Sequence, residues 1–147
     1  MTPAETVAAL LGFAGRAPAT RANCPYCGSG VKAMTGRELY GVARPGLHAR
    51  LFMACARMPE CDSYVGCHAK TGVPFGTLAD RSLRAWRVRA HNAFDPLWVS
   101  GVWSRCEAYG GLAGQLGVVR GECHVALFDE QTCRRVVELC RAKAGAA

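Results

Sequence analysis

Lysine is scarce in this chain: 3 of its 18 basic residues are lysine and 15 are arginine. Acidic residues are also few, 11 against those 18. No long apolar run is present. The stretch around Val7 to Phe13 is far shorter than the roughly 20 residues a membrane-spanning helix needs. No basic stretch precedes it, so it does not resemble a secretory signal. Internal repeats and long low-complexity tracts are absent; only the Ala/Gly tail is biased. These absences lead us to expect a cytoplasmic protein with no membrane partner and with reduced thiols. The 9 cysteines form an odd number, which argues against a closed disulfide framework.

What is present begins with the charge. The formal net charge is +7, and the surplus falls between Arg16 and His91, while the C-terminal third is balanced. An acidic partner such as nucleic acid is the natural inference. The Arg, Ala and Gly bias is also what a GC-rich genome would produce, so some arginines need have no task.

The cysteines carry a sharper signal. Cys24-x2-Cys27 and Cys55-x5-Cys61 are two short-spaced pairs with a longer segment between them, a pattern that can set four thiolates tetrahedrally around one zinc. Gly28 suits the tight turn after the first pair. Four thiolates leave no open position for water, so such a zinc is structural and its segment folds with the metal. Cys67 is a spare candidate ligand or a small buried residue at the end of this module. Cys106, Cys123, Cys133 and Cys140 read as core.

The hydrophobic pattern predicts an α+β protein in three parts: an N-terminal helix over 1–18, a zinc ribbon over 19–68 and a helical domain over 69–147 packed on the ribbon. Thr2, Pro3 and Glu5 form a helix-start signature. Residues 19–23 read as a linker. Candidate ribbon strands are Val31–Met34, Arg37–Val42 and Leu51–Ala54, with a turn at Pro45-Gly46. Residues 69–76 read as a loop. From Thr77 the period becomes helical, with Leu83, Trp86/Arg87, Ala90 and Phe94 at three- and four-residue steps, up to Asp95-Pro96. A further helix is expected over Val102–Leu116 with Gly117 as its C-cap. A short strand over Cys123–Phe128 and a last helix capped by Asp129 follow. The last helix turns Cys133, Val136, Val137 and Cys140 inward.

Two resemblances follow from these residues. Cys24-Pro-Tyr-Cys-Gly-Ser, the glycine-containing β segment after it, then Cys55-x3-Pro59-Glu60-Cys61 and Tyr64 resemble the C-terminal zinc ribbons of type IA DNA topoisomerases. That likeness implies that Cys24, Cys27, Cys55 and Cys61 bind one zinc, and that the module contacts single-stranded DNA. Cys61-Asp-Ser-Tyr-Val-Gly-Cys-His68, Pro74-Phe-Gly-Thr-Leu-Ala79 and Ala90-His-x2-Phe94-Asp-Pro-Leu-Trp98 resemble small bacterial and phage zinc-finger-containing proteins. That likeness covers roughly Cys24 to Leu139 and implies a ribbon followed by helices, without supplying an activity.

Three functions follow as expectations. The leading one is a non-enzymatic, zinc-ribbon, nucleic-acid-binding protein with single-stranded DNA as the favoured partner and little sequence preference. Lys32, Arg37, Tyr40, Arg44, Arg50 and Arg57 of the ribbon, with His48 among them, interleave cations with an aromatic. Arg81, Arg84 and Arg87 of the following helix, with Arg89 and Lys70, could neutralise phosphates, and Trp86 could stack a base if exposed. The second is a protein-interaction adaptor that modulates a nucleic-acid enzyme, its arginines meeting an acidic protein surface. The third is a metal-dependent nuclease built on His68, His91, Asp95 and His124, side chains of the kind that bind Zn, Mn or Fe.

Overall fold

Five consecutive residues, Leu51 to Cys55, form the central strand β2 of a three-stranded antiparallel sheet in the computed structural model of the chain, which describes residues 23–145. On one side β2 pairs with β1 (Val31–Thr35), and on the other with β3 (Tyr64–Gly66). The register sets Val31 opposite Cys55, Thr35 opposite Leu51 and Met53 opposite Val65. Side chains alternate across a strand, so β2 has two faces with different company. Met53 and Cys55 join Cys24, Val65, Cys67 and Leu78 in one buried cluster, with Val31, Leu51 and Cys61 packed against it. Phe52 faces the other way and meets Tyr40 and Tyr64 edge-on, with ring centres 5.8 and 5.9 Å away.

Tyr40 arrives there on a short helix, α1 (Gly36–Tyr40), where the sequence pattern predicted a strand over Arg37–Val42. Two local interactions decide for helix. Thr35 and Glu38 form a capping box: the Glu38 amide donates to Thr35 Oγ1 at 3.2 Å, and the Thr35 amide donates to the Glu38 carboxylate at 2.6 Å. Gly36 has backbone packed against it where a side chain would stand. A Cβ there would lie 1.8 Å from the Leu47 carbonyl oxygen, which belongs to the 3-10 turn Pro45–Leu47.

The described residues fall into two compact units, divided between Arg81 and Ser82. The first holds the sheet, α1 and the cysteine knuckles. The second is helical: α2 (Arg81–Phe94), a single turn α3 (Pro96–Val99), α4 (Arg105–Leu116) and α5 (Glu130–Gly145). Its core uses the periodic residues. Leu83, Ala90 and Phe94 of α2 are buried, and the Phe94 ring meets Tyr109 of α4 at 4.8 Å. Cys123, Val125, Phe128, Cys133 and Val136 complete that core. Fully burying a side chain such as Phe94 contributes about 2–3 kcal/mol.

The fold is mixed α+β, a cysteine-bearing antiparallel sheet followed by helices. The helix start at Thr2 and the linker over 19–22 lie outside the described residues. Two helix starts move, and one expected strand is replaced. α2 begins at Arg81, because Ala79 is held in a bridge to Tyr64. α4 begins at Arg105, where Ser104 and Glu107 form a second capping box, and it ends at Gly117 in the left-handed region at φ 69°. In place of the strand expected over Cys123–Phe128 stand two 3-10 turns, Arg120–Glu122 just before that span and Val125–Leu127 within it. Cys106, read as core, is exposed, while Cys123 and Cys133 are fully buried and Cys140 is half-buried.

Candidate metal centre and basic surface

The first knuckle is made by its own backbone. The Gly28 amide donates to the Cys24 carbonyl at 2.9 Å, with Gly28 at φ 76°, and the Asn23 side chain donates to the Gly28 carbonyl at 2.8 Å. That turn brings Cys24 and Cys27 to one point. The second knuckle closes through the Met58 amide on the Cys55 carbonyl at 3.0 Å and the Cys61 amide on the Arg57 carbonyl at 3.2 Å. The two knuckles join where the Ala56 amide donates to the Gly30 carbonyl at 2.8 Å.

The four sulfurs of Cys24, Cys27, Cys55 and Cys61 all lie within 4.8 Å of one another. Cys24 and Cys61 stand 3.6 Å apart, Cys27 and Cys55 3.4 Å. A disulfide needs about 2.0 Å. Four sulfurs each about 2.3 Å from a central zinc sit about 3.8 Å from one another, so the cluster fits a tetrahedral ion. The surrounding donors also suit thiolates. The fully buried Ser63 hydroxyl lies 3.1 Å from Cys24 Sγ and 3.6 Å from Cys61 Sγ, and the Arg57 amide donates to Cys55 Sγ at 3.4 Å. Hydrogen bonds of this kind orient ligands and hold them ionised.

The thiols differ in readiness. Hydrogen bonds from the Ser29 side chain and backbone lower Cys27 to about 6, while burial pushes Cys55 up to about 12. Cys24 is lowered as well: burial opposes this, and hydrogen bonds led by that of Ser63 overcome it. A buried thiol such as Cys55 becomes a thiolate beside a cation. Cys67 stays apart from the four. It is buried in the sheet core, and burial pushes its thiol up to about 11.

Residues 20–143 match the model of DUF3268, a zinc-finger-containing domain. The chain belongs to that family. No curated protein and no solved structure matches it at significance. The family's description and the four-sulfur geometry agree on the metal, and zinc is the cofactor of this domain.

Among the described residues, no other group of three or more His, Cys, Asp or Glu side chains brings its ligand atoms together in this way. His91 Nδ1 contacts the Asp95 carboxylate at 3.2 Å, and the Trp98 indole donates to the same carboxylate at 3.3 Å. Asp95 thereby joins α2 to α3. His124 lies against the Tyr109 ring at 6.3 Å. His68, in the first unit, contacts Phe75 at 4.3 Å. Within the second unit, His91, Asp95 and His124 do not come together as a ligand group.

The basic residues divide by exposure. Lys32 on β1, Arg37 on α1, Arg44, Arg50, Arg57 and Arg81 are exposed, and His48 is half-buried. Tyr40 is half-buried; its hydroxyl hydrogen-bonds that of Tyr64 at 2.9 Å, and the Arg44 guanidinium lies 5.0 Å from its ring centre. Arg84 is half-buried. Arg87, expected at the surface, is buried, and its Nε donates to the Phe128 carbonyl at 3.1 Å. It is a core cation of the second unit, and removing it would leave that carbonyl unpaired at a cost of about 1–3 kcal/mol. Trp86 is half-buried, and the guanidinium carbons of Arg89 and Arg134 lie 4.6 and 4.1 Å from its ring centre. Two cations therefore engage the ring.

Sequence reasoning passed over Ser63 and Ser29, the hydroxyl donors around the thiolates. The available signal was position: each serine stands two residues after a cysteine of the set, Ser29 after Cys27 and Ser63 after Cys61.

Proposed function

We propose that this domain is a zinc-ribbon binder of single-stranded nucleic acid, DNA by preference, with little sequence discrimination. The observation that carries the reading is the exposure of Lys32, Arg37, Arg44, Arg50 and Arg57 on a sheet-and-knuckle unit that zinc holds together. Lys32 lies in β1 and Arg37 in α1, and Arg50 and Arg57 stand just before and just after β2, so phosphates meet charges whose backbone is already ordered. Glu38, an acidic neighbour on α1, spends its carboxylate on the Thr35 cap. Charge without a base-reading code supports affinity for the backbone and weak sequence preference. A cluster of four thiolates gives zinc a structural role and leaves it no open position for catalysis.

The test is a titration with a single-stranded oligonucleotide at two salt concentrations. Binding weakens steeply with salt, with a slope of log K against log salt of about −0.7 for each phosphate the protein neutralises. Absence of binding at low salt removes the proposal. A second reading, a protein-interaction module, draws on the valines Val99 and Val102, which are 67% and 76% exposed around the turn before α4. Capture of one stoichiometric protein partner, with no nucleic-acid affinity, selects that reading instead.

A further inference from the structure

Beyond β3 the chain turns back on itself over residues 66–75. The Phe75 amide donates to the Gly66 carbonyl at 2.9 Å, the His68 amide to the Val73 carbonyl at 2.7 Å, and the Gly72 amide to the His68 carbonyl at 2.9 Å. Cys67 and Pro74 face each other in a bridge, and both are buried. The hairpin is thus anchored from beneath and fixed in register.

It holds an aromatic pair and a cation outward. His68 is exposed and Phe75 is 42% exposed, with ring centres 4.3 Å apart. Phe75 can lie there because Gly66 has no side chain: a Cβ at Gly66 would stand 3.3 Å from the Phe75 ring. At the hairpin end are the exposed Lys70 and Thr71. Thr71 Oγ1 accepts from the Val73 amide at 3.2 Å, which fixes the oxygen and leaves its proton to donate. His68, Ala69, Lys70, Thr71 and Val73 line an open cavity of ≈ 530 Å³, within the range of small-ligand sites.

We infer that this hairpin is a one-nucleotide subsite, in which a base stacks on the His68 ring backed by Phe75, and the adjoining phosphate takes Lys70 and the Thr71 hydroxyl. The inference rests on the strand-binding function proposed above and names where a base, rather than the backbone alone, is engaged. Most of the exposed lining is apolar, which suits the face of a base. Here a flat conjugated ring, an ammonium group and a hydroxyl surround one opening, and a nucleotide presents the matching π-face, anionic oxygens and acceptor.

The experiment uses the zinc-loaded full chain, a labelled oligothymidylate, and an abasic oligomer of the same length. His68→Ala weakens oligothymidylate binding about tenfold, the effect of losing one stacked base, and leaves abasic binding unchanged. Lys70→Gln weakens binding to both and makes the salt slope shallower by about 0.7. Zinc content and near-ultraviolet circular dichroism of the tyrosines show that each variant is folded. If the wild type binds with a steep salt dependence while His68→Ala and Phe75→Leu bind oligothymidylate equally well, the subsite is refuted and the strand-binding function stands. If the wild type binds neither oligomer, both fall together.

Discussion

Ser63 shows how much of the metal centre is set by side chains that are not ligands. It is fully buried, and its hydroxyl reaches two of the four sulfurs. Loss of an outer hydrogen bond of this kind typically costs 10–100-fold in metal affinity. Ser63→Ala is therefore expected to weaken zinc binding by about that factor in a chelator competition, with the fold retained at saturating zinc; unchanged affinity would show that the hydroxyl only fills space. In the second unit His124 makes a different kind of statement. Burial, then Arg120 and Arg105, lower its pKa from the ordinary 6.5. The unfolded chain consequently binds the proton more readily than the folded one, so the stability tied to neutral His124 is complete above about pH 6.5 and is lost as pH falls through the folded value. Trp86, Trp98 and Trp103 all lie in this unit, so tryptophan fluorescence follows its melting. The wild type should lose melting temperature more steeply than His124→Gln between neutral pH and pH 5.5, and parallel curves would dismiss His124 as the cause.

At the scale of elements, what was legible in the sequence depended on whether local chemistry or periodicity made the decision. The knuckles were readable because two pairs of cysteines need a fixed spacing to share an ion. α2 and α5 were readable because Leu83, Ala90, Phe94, Cys133 and Val136 recur at helical steps and are buried. α1 was not, since Leu39, Tyr40 and Val42 look strand-like. The Thr35-x-x-Glu38 cap and the close backbone approach at Gly36 outweighed that preference. β3 has three residues, too few for alternation to register. Arg87 was misplaced because an arginine on a basic helix reads as solvated, and its burial and bond to the Phe128 carbonyl reveal otherwise. Gly36→Ala tests the helix assignment. The new methyl group would collide with Leu47, so the first unit should lose several kcal/mol, a core-overpacking effect at its upper range. Thermal melting followed by tyrosine circular dichroism would read it, and a melt like that of the wild type would contradict the close packing.

At the scale of the whole molecule, the chain combines two units stabilised by different means. The first carries a small sheet of 5-, 5- and 3-residue strands, an amount of structure for which a structural metal commonly supplies the missing stability. The second has a helical core of its own. No helix among the described residues is long and apolar enough to cross a membrane. Zinc is thus the component on which the basic surface depends. Within the second unit His91 and Asp95 pair, and His124 packs on Tyr109.

The central claim is that one zinc on four cysteines holds the first unit together. Elemental analysis of the purified chain, made on the wild type and on Cys61→Ser, tests it most directly. The account predicts one zinc per wild-type chain and its loss from the variant. No zinc in the wild type, two metals per chain, or a full complement in the variant would contradict it.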